Sequence, residues 1–133
     1  MKYLNIIAIL LIASFFTSCN EEVELIDFSG VYVGPLNCVG AVHEDNGTEA
    51  KFIITKLDDQ QYRLDLGDEV IFTVRQEENT LIIPKQTANE GNGFDEVTLD
   101  GDITKTETGI KAIFTVSVDD EGESSCDMML EKR

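Results

Sequence analysis

Short runs of alternating apolar and polar residues follow one another from about residue 30 to the end of the chain. The candidate strands are residues 30–39, 49–56, 61–66, 69–75, 80–84, 96–105, 110–118 and 124–131. Turns rich in Gly, Asn and Asp separate them, and no segment has a convincing helical period. Regular short strands with turn signals between them predict an all-β antiparallel meander, folded as a barrel or as a β-sandwich.

Period-two alternation predicts which face of each strand packs inside the domain. The apolar face is assigned to the core, and it comprises Phe52, Ile54, Tyr62, Leu64, Leu66, Val70, Phe72, Val74, Ile110, Ala112, Phe114, Val116 and Val118. The opposite face is polar, except for Ile53, Ile71 and Ile113. If these isoleucines cluster, they form an outer-face patch for a partner; if they are scattered, they are ordinary surface residues.

Large side chains occupy nearly every inward position, and this bears on ligand binding. An eight-stranded barrel is just wide enough to be filled by side chains or to hold one small ligand. The residues that would line such a ligand site are Tyr32, Phe52, Tyr62, Phe72 and Phe114. Their bulk favours the alternative, in which they fill the interior as a close-packed core.

The first residues of the chain predict export. Lys2 precedes an apolar run over residues 6–16, which is too short to span a bilayer core of ~20 residues and is typical of a cleaved signal. The segment Phe16-Thr17-Ser18-Cys19 then resembles the lipobox of bacterial lipoproteins. In that family the cysteine in the place of Cys19 is acylated and the chain is cut before it. An ordinary signal peptide with a free Cys19 is the alternative.

The segment Asn20-Glu21-Glu22-Val23-Glu24 is similar to the acidic cluster that follows the lipidated cysteine in surface lipoproteins of the Bacteroidota. The resemblance implies a lipid anchor in the outer membrane and exposure on the cell surface. A solvated acidic spacer is the alternative. We therefore expect a signal peptide over residues 1–18, a lipidated cysteine with an acidic linker over residues 19–28, and one β-domain over residues 29–133.

Cys38 and Cys126 remain as a pair in a compartment where disulfides persist. We predict that they are bridged; a metal site is the competing interpretation, but the chain has no CxxC and one His. A bridge needs Cα atoms within ~7 Å, so the first and last strands must be neighbours. A meander whose ends meet is closed. We therefore favour an eight-stranded up-and-down barrel, closed or nearly so, over a sandwich.

The segment Phe28-Ser29-Gly30-Val31-Tyr32-Val33-Gly34 resembles the Gly-x-aromatic opening strand of lipocalin-like domains. The strand count extends the similarity to most of residues 28–131. Tyr32 stands where lipocalins carry Trp, and a second lipocalin motif is missing. The resemblance implies a barrel that carries a small apolar ligand in its interior. Together with the N-terminal pattern, it makes the chain similar to small surface lipoproteins of the Bacteroidota.

Charge and composition limit the classes of partner and activity that we expect for the chain. The net charge of −16 disfavours nucleic acid and anionic membrane surfaces as partners. His43, the only His, lies in an acidic turn without a recognisable nucleophile. We therefore expect no enzyme and no cofactor, but a binding or interaction module. Its partners would be the membrane, through the lipid, and a protein, a glycan or a small apolar ligand.

Calcium is the one ion that the acidic turns suggest, because hard cations take carboxylate oxygens from loops. The weak candidates are Asp119, Asp120, Glu121 and Glu123. They do not match the spaced calcium-binding loop, and an acid-decorated turn is the alternative. We therefore assign no metal ligand.

Overall fold

The computed structural model describes residues 24–41, 46–67, 70–89, 96–118 and 122–133. This part of the chain forms nine strands: β1 (Gly30–Pro35), β2 (Cys38–Gly40), β3 (Glu49–Lys56), β4 (Gln61–Asp65), β5 (Ile71–Glu77), β6 (Thr80–Asn89), β7 (Glu96–Lys105), β8 (Gly109–Val118) and β9 (Gly122–Lys132). Within these ranges, no helix has the length and apolar character needed to cross a membrane.

The strands form one antiparallel sheet that closes on itself. Their order is β1-β3-β4-β5-β6-β7-β8-β9-β2, and β1 also pairs with β9. Along β9, Val33 of β1 faces Glu131 and Cys38 of β2 faces Cys126. The register is the same at both places, so β2 continues β1 after a short break. The fold is a closed eight-stranded antiparallel barrel with one extra short strand, which confirms the predicted class.

A disulfide between Cys38 and Cys126 joins the two strands at which the barrel closes. The two residues face each other in the β2–β9 ladder, and their Cα atoms lie 4.0 Å apart. They are 88 positions apart in the sequence. The chain-entropy model gives ~4–5 kcal/mol for closing a loop of this size. The predicted bridge is confirmed, and it holds the two ends of the meander together.

The strand bounds follow the predictions closely except at the two prolines. Residues 49–56 and 96–105 have the predicted bounds, and most other strands end within two residues of them. The first predicted strand is interrupted at residues 36–37. The strand predicted to stop at Pro84 instead continues to Asn89. That prediction was wrong because a bulge between Ile83 and Gln86 absorbs the proline and pairing with β7 resumes.

Side-chain carboxamides bridge the ladder next to both prolines. Proline has no N–H to donate to a neighbouring strand. Two residues after Pro35, the Asn37 side chain donates to the carbonyl of Asp127 at 3.1 Å. Two residues after Pro84, the Gln86 side chain donates to the carbonyl of Thr73 at 2.7 Å and accepts from its N–H at 3.1 Å. The Gln86 amide therefore replaces backbone pairing that Pro84 cannot make, whereas the Asn37 amide supplements the backbone bond that the Asp127 N–H donates to the Asn37 carbonyl.

Alternating strand directions give the barrel two ends. One end, which we call the base, carries residues 24–29, the turns β3–β4, β5–β6 and β7–β8, and the end of β9. At the opposite end, which we call the mouth, lie the strand ends that are joined by residues 41–48, 66–70, 90–95 and 119–121. The inward faces predicted from alternation are buried or half-buried along the barrel, as expected.

The segment before β1 is part of the folded domain. Phe28 is fully buried in the core, and Ile26 packs against it. Asp27 points outward between them and accepts hydrogen bonds from the Ser29 N–H at 2.8 Å and from its hydroxyl at 2.7 Å. The boundary predicted at residue 29 therefore lies within packed structure, and residues 26–28 are not free linker.

Candidate functional site: base, mouth and outer wall

The five residues predicted to line a ligand site all point into the barrel and are at most 7% exposed: Tyr32, Phe52, Tyr62, Phe72 and Phe114. All five belong to one buried core cluster. Tyr32 faces Phe52 across β1 and β3, and the rings of Phe52 and Phe114 contact each other with centroids 6.1 Å apart. The two tyrosines carry the polar groups of this cluster, and both hydroxyls are hydrogen-bonded toward the base.

At the base, the Tyr32 hydroxyl is fully engaged. It donates to the carbonyl of Phe28 at 2.8 Å and accepts from the Lys105 ammonium at 2.7 Å. The same ammonium lies 5.1 Å from the Tyr32 ring centroid and 5.8 Å from that of Phe28. Burial raises the pKa of the Tyr32 phenol above its ordinary value of 10.0, while the charge of Lys132 opposes the shift. Tyr32 is thus a neutral, hydrogen-bonded core residue.

Gly30 has a packing role in the Gly-x-Tyr opening of β1. A Cβ atom at this position would lie 2.6 Å from Cε of Lys132, and the φ angle of Gly30 is +151°. The Lys132 side chain therefore passes over Gly30, and its ammonium lies 6.0 Å from the Tyr32 ring centroid. The missing side chain at Gly30 leaves room for the Lys132 side chain, and the Lys132 ammonium makes a cation–π contact with the Tyr32 ring.

A second network seals the base beside Tyr32. The Tyr62 hydroxyl donates to the Gln76 side-chain oxygen at 3.1 Å, and the Gln76 amide donates to the carbonyls of Ile26 and Glu78, each at 3.0 Å. Phe28 packs edge-on against the Tyr62 ring at 6.1 Å between centroids. Among the described side chains, no buried nitrogen or oxygen lacks a partner. The interior at the base is thus a filled core whose polar groups are hydrogen-bonded, and a polar groove of about 500 Å³ lies outside it, lined by Gln60, Arg75 and Glu78 among others.

The described strand ends at the mouth carry a set of partly exposed apolar residues. Half-buried apolar residues pack against the core at the strand ends that meet there: Leu36, Ala50, Leu66, Ala88, Val116 and Val118. We call this set the mouth ring. Alternation assigned Leu66, Val116 and Val118 to the inner face, but it does not show how far each lies from a barrel end. Partly exposed apolar surface of this kind is a candidate contact for an apolar ligand.

The three outward isoleucines do not form one patch. Ile53 and Ile71 both face Asp65, which lies between them on β4. The Asp65 carboxylate lies 3.6 Å from the Arg63 guanidinium, so an ion pair separates the two isoleucines. Ile113 lies on β8, three strands from β3 in one direction and three from β5 in the other.

Ile113 instead lies on the side of the barrel formed by β8, β9 and β2, which we call the outer wall. Its exposed apolar residues are Ile113, Met129 and Val39, which are 47%, 55% and 77% exposed. Asp127 faces Ile113 among them and lies 3.6 Å from the Lys111 ammonium, so the outer wall is a mixed surface. Met129 lies two residues along β9 from the position that faces Ile113, and Val39 faces Ser125 on the same strand. A groove of about 230 Å³ runs beside Met129. The alternation pattern did not point to Met129 or Val39, because it does not show which strands are neighbours around the barrel. Their strands lie beside β8 only through the pairing of β9 with β8 and with β2.

The predicted lipidation site Cys19, the single histidine His43 and three of the four candidate calcium ligands, Asp119, Asp120 and Glu121, lie outside the described residues. Glu123 is exposed on β9 and borders a shallow groove with Lys85 and Asp100. Across the described ranges, no group of three or more His, Cys, Asp or Glu residues is arranged to hold a metal ion.

Comparisons of the chain with protein-family models, with curated protein sequences and with solved structures gave no match.

Proposed function

We propose that this protein is a lipid-anchored, non-enzymatic binding module of the outer-membrane surface, and that it binds its ligand at the mouth ring. The contrast between the two barrel ends carries the proposal. Large, hydrogen-bonded side chains fill the base, whereas the mouth ring leaves apolar surface half-exposed. Binding at the mouth therefore requires no rearrangement of the base, and burial of that surface supplies the free energy.

The anchoring part of the proposal rests on the lipobox-like segment that ends at Cys19. Only six residues lie between Cys19 and Ile26, which is packed at the base. The seven Cα–Cα steps between them span at most ~25 Å. A lipid on Cys19 would therefore hold the base close to the bilayer, and the mouth would face away from the membrane toward an external ligand.

The ligand class follows from the mouth ring and the charge. The ring residues carry no polar side-chain atoms, so they recognise an apolar group such as a short hydrocarbon or an apolar side chain of a protein. The net charge of −16 disfavours an anionic ligand. A deeper lipocalin-like site would have to displace Phe72 or Tyr62, both of which are almost fully buried. We therefore place the ligand at the mouth rather than deep in the interior.

Nile red, a neutral apolar dye, tests this site. We expect its fluorescence to rise on the purified protein, and Ala88→Glu to abolish the rise because the substitution puts a charge into the mouth ring. Ile113→Ser is the matched control, since it changes an apolar residue on the outer wall. Equal dye binding by the Ala88→Glu variant, with an unchanged melting temperature, would rule out the mouth. Native mass spectrometry then asks whether a ligand co-purifies.

The outer wall is a second candidate surface. Its three apolar residues are strongly exposed and border the Lys111–Asp127 ion pair, so a protein partner would need both apolar and charged groups there. Met129→Glu should abolish capture of a protein partner without lowering the melting temperature. A partner still captured by that variant would exclude this surface.

A further inference from the structure

Strands β5 and β6 pair over only part of their length. The paired residues are Arg75 with Ile82, Gln76 with Leu81, and Glu77 with Thr80, all next to the turn at the base. Toward the mouth, residues 71–74 of β5 and residues 83–89 of β6 have no backbone pairing with each other. β5 still pairs with β4 there, and β6 with β7. The barrel wall therefore contains a gap, bordered by Ile71, Thr73, Gln86 and Thr87, which we call the notch.

The Gln86 side chain spans the break between the two strands. Continuing the register from Arg75 and Ile82 would put Pro84 opposite Thr73, but proline has no N–H to donate. The carboxamide of Gln86, two residues farther along β6, takes that place and bonds both the N–H and the carbonyl of Thr73. At this level β5 and β6 are therefore linked through a side chain and not through paired backbones.

Backbone groups of β5 that have no backbone partner on the described part of β6 border the notch. Backbone groups of an antiparallel strand point alternately to its two neighbours. The Gln76 N–H donates to the carbonyl of Gln60, on the β4 side, at 2.6 Å. The N–H and carbonyl of Thr73 and of Ile71 therefore point toward β6. Gln86 satisfies Thr73, but the described residues supply no β6 partner for Ile71. Such a strand edge is a template for another strand.

We propose that the notch binds an extended peptide segment of another protein, which adds as a strand between β5 and β6. Main-chain hydrogen bonds to Ile71 and Thr73 would supply affinity, with the peptide displacing the Gln86 carboxamide. Alternate peptide side chains would face inward toward Phe72 and Ala88, and the others would lie outside beside Ile71. The partner chemistry is thus an extended segment with apolar residues at every second position.

Charge adds a second element of recognition. The chain as a whole carries a net charge of −16, and the described basic residues nearest the notch are Arg75 on β5 and Lys85 on β6. Lys or Arg at the outward positions of the peptide would be attracted to this protein, and acidic residues would be repelled. The proposal goes beyond the proposed function, because strand addition needs neither a lipid anchor nor a small ligand in the mouth.

Hydrogen exchange of the full chain, with its disulfide intact, provides the test. The probe is a synthetic octapeptide of sequence Lys-Val-Thr-Val-Lys-Val-Thr-Val. We expect it to slow exchange about tenfold or more in residues 70–75 and 83–89, and to bind about tenfold more tightly than the same peptide with Glu in place of Lys. A version methylated on alternate backbone nitrogens should lose binding, because it cannot complete the ladder.

Gln86→Ala sharpens the test, and Gln61→Ala, which removes an exposed glutamine of the fully paired β4, is its matched control. Gln86→Ala should speed exchange at Thr73 in the free protein and strengthen peptide binding, because the competing carboxamide is gone. The proposal is overturned if ~1 mM peptide fails to protect Ile71 and Thr73, if the methylated peptide protects them equally, or if protection appears only elsewhere in the barrel.

Discussion

Replacing Phe28 by alanine tests whether the segment before β1 is part of the domain. Phe28 is 0% exposed, packs edge-on against Tyr62 and provides the carbonyl that accepts from Tyr32. The backbone carbonyl survives the substitution, so the loss comes from the ring. Phe→Ala in a packed core costs about 3–5 kcal/mol, and about 0.5–1.5 kcal/mol of that belongs to the aromatic pair. This is a large share of the ~5–15 kcal/mol of a typical domain.

Urea unfolding of the mature chain measures this loss. For a slope of about 2 kcal/mol per molar urea, the midpoint should fall by about 2 M. Leu25→Ala is the matched control, since Leu25 lies in the same segment but is 40% exposed, and we expect it to cost less than about 1 kcal/mol. If Phe28→Ala destabilises the protein no more than Leu25→Ala, the segment is a linker after all and the domain begins at β1.

Three further predictions concern the disulfide, the base and the anchor. Reduction of Cys38–Cys126 should lower the free energy of unfolding by ~4–5 kcal/mol in urea titrations with and without reductant; a loss below ~1 kcal/mol would contradict its role in closing the barrel. Because burial raises the pKa of Tyr32, its contribution to stability should be complete below pH 10.0 and decline as the pH rises further, since the unfolded chain loses that proton first. Ultraviolet titration of a Tyr62→Phe variant isolates Tyr32 within the domain, and a phenolate midpoint at or below 10.0 would refute this. Cys19→Ser should release the protein from membranes, whereas retention of that variant in the membrane fraction would contradict lipidation.

The barrel could be predicted because its two determinants are visible in the sequence. Period-two alternation identifies strands and their inward faces from neighbouring residues alone. The cysteine pair adds one long-range constraint, which makes the first and last strands neighbours. Together they select a closed meander, and the structure agrees at Phe52, Tyr62, Phe72 and Phe114, all of which are buried.

The remaining features depend on contacts between distant parts of the chain. Ile26 and Phe28 are two apolar residues in an acidic segment without strand periodicity, so nothing local shows that they fold under the barrel. From the sequence alone, Pro84 predicts the end of a strand. Only the register between β6 and β7 shows that the strand continues past it through a bulge. The grouping of Ile113 with Met129 requires the pairing of β8 with β9. Alternation assigns each residue to a face, but the positions of residues around the barrel require the register.

The strand breaks at Pro35 and Pro84 differ in the strength of the bonds that span them. This difference indicates where the barrel can bind an added strand. Beside Pro35, the disulfide of Cys38 follows within three residues, and the Asn46 side chain both accepts from and donates to the Cys38 backbone at 2.7 and 2.6 Å. Beside Pro84, Gln86 alone spans the gap to Thr73. A hydrogen-bonded carboxamide contributes only about 1 kcal/mol net and can be displaced by a competing strand, whereas a covalent bridge cannot. We therefore expect a partner strand to enter the break between β5 and β6. The disulfide between β2 and β9 keeps the barrel closed while it does so.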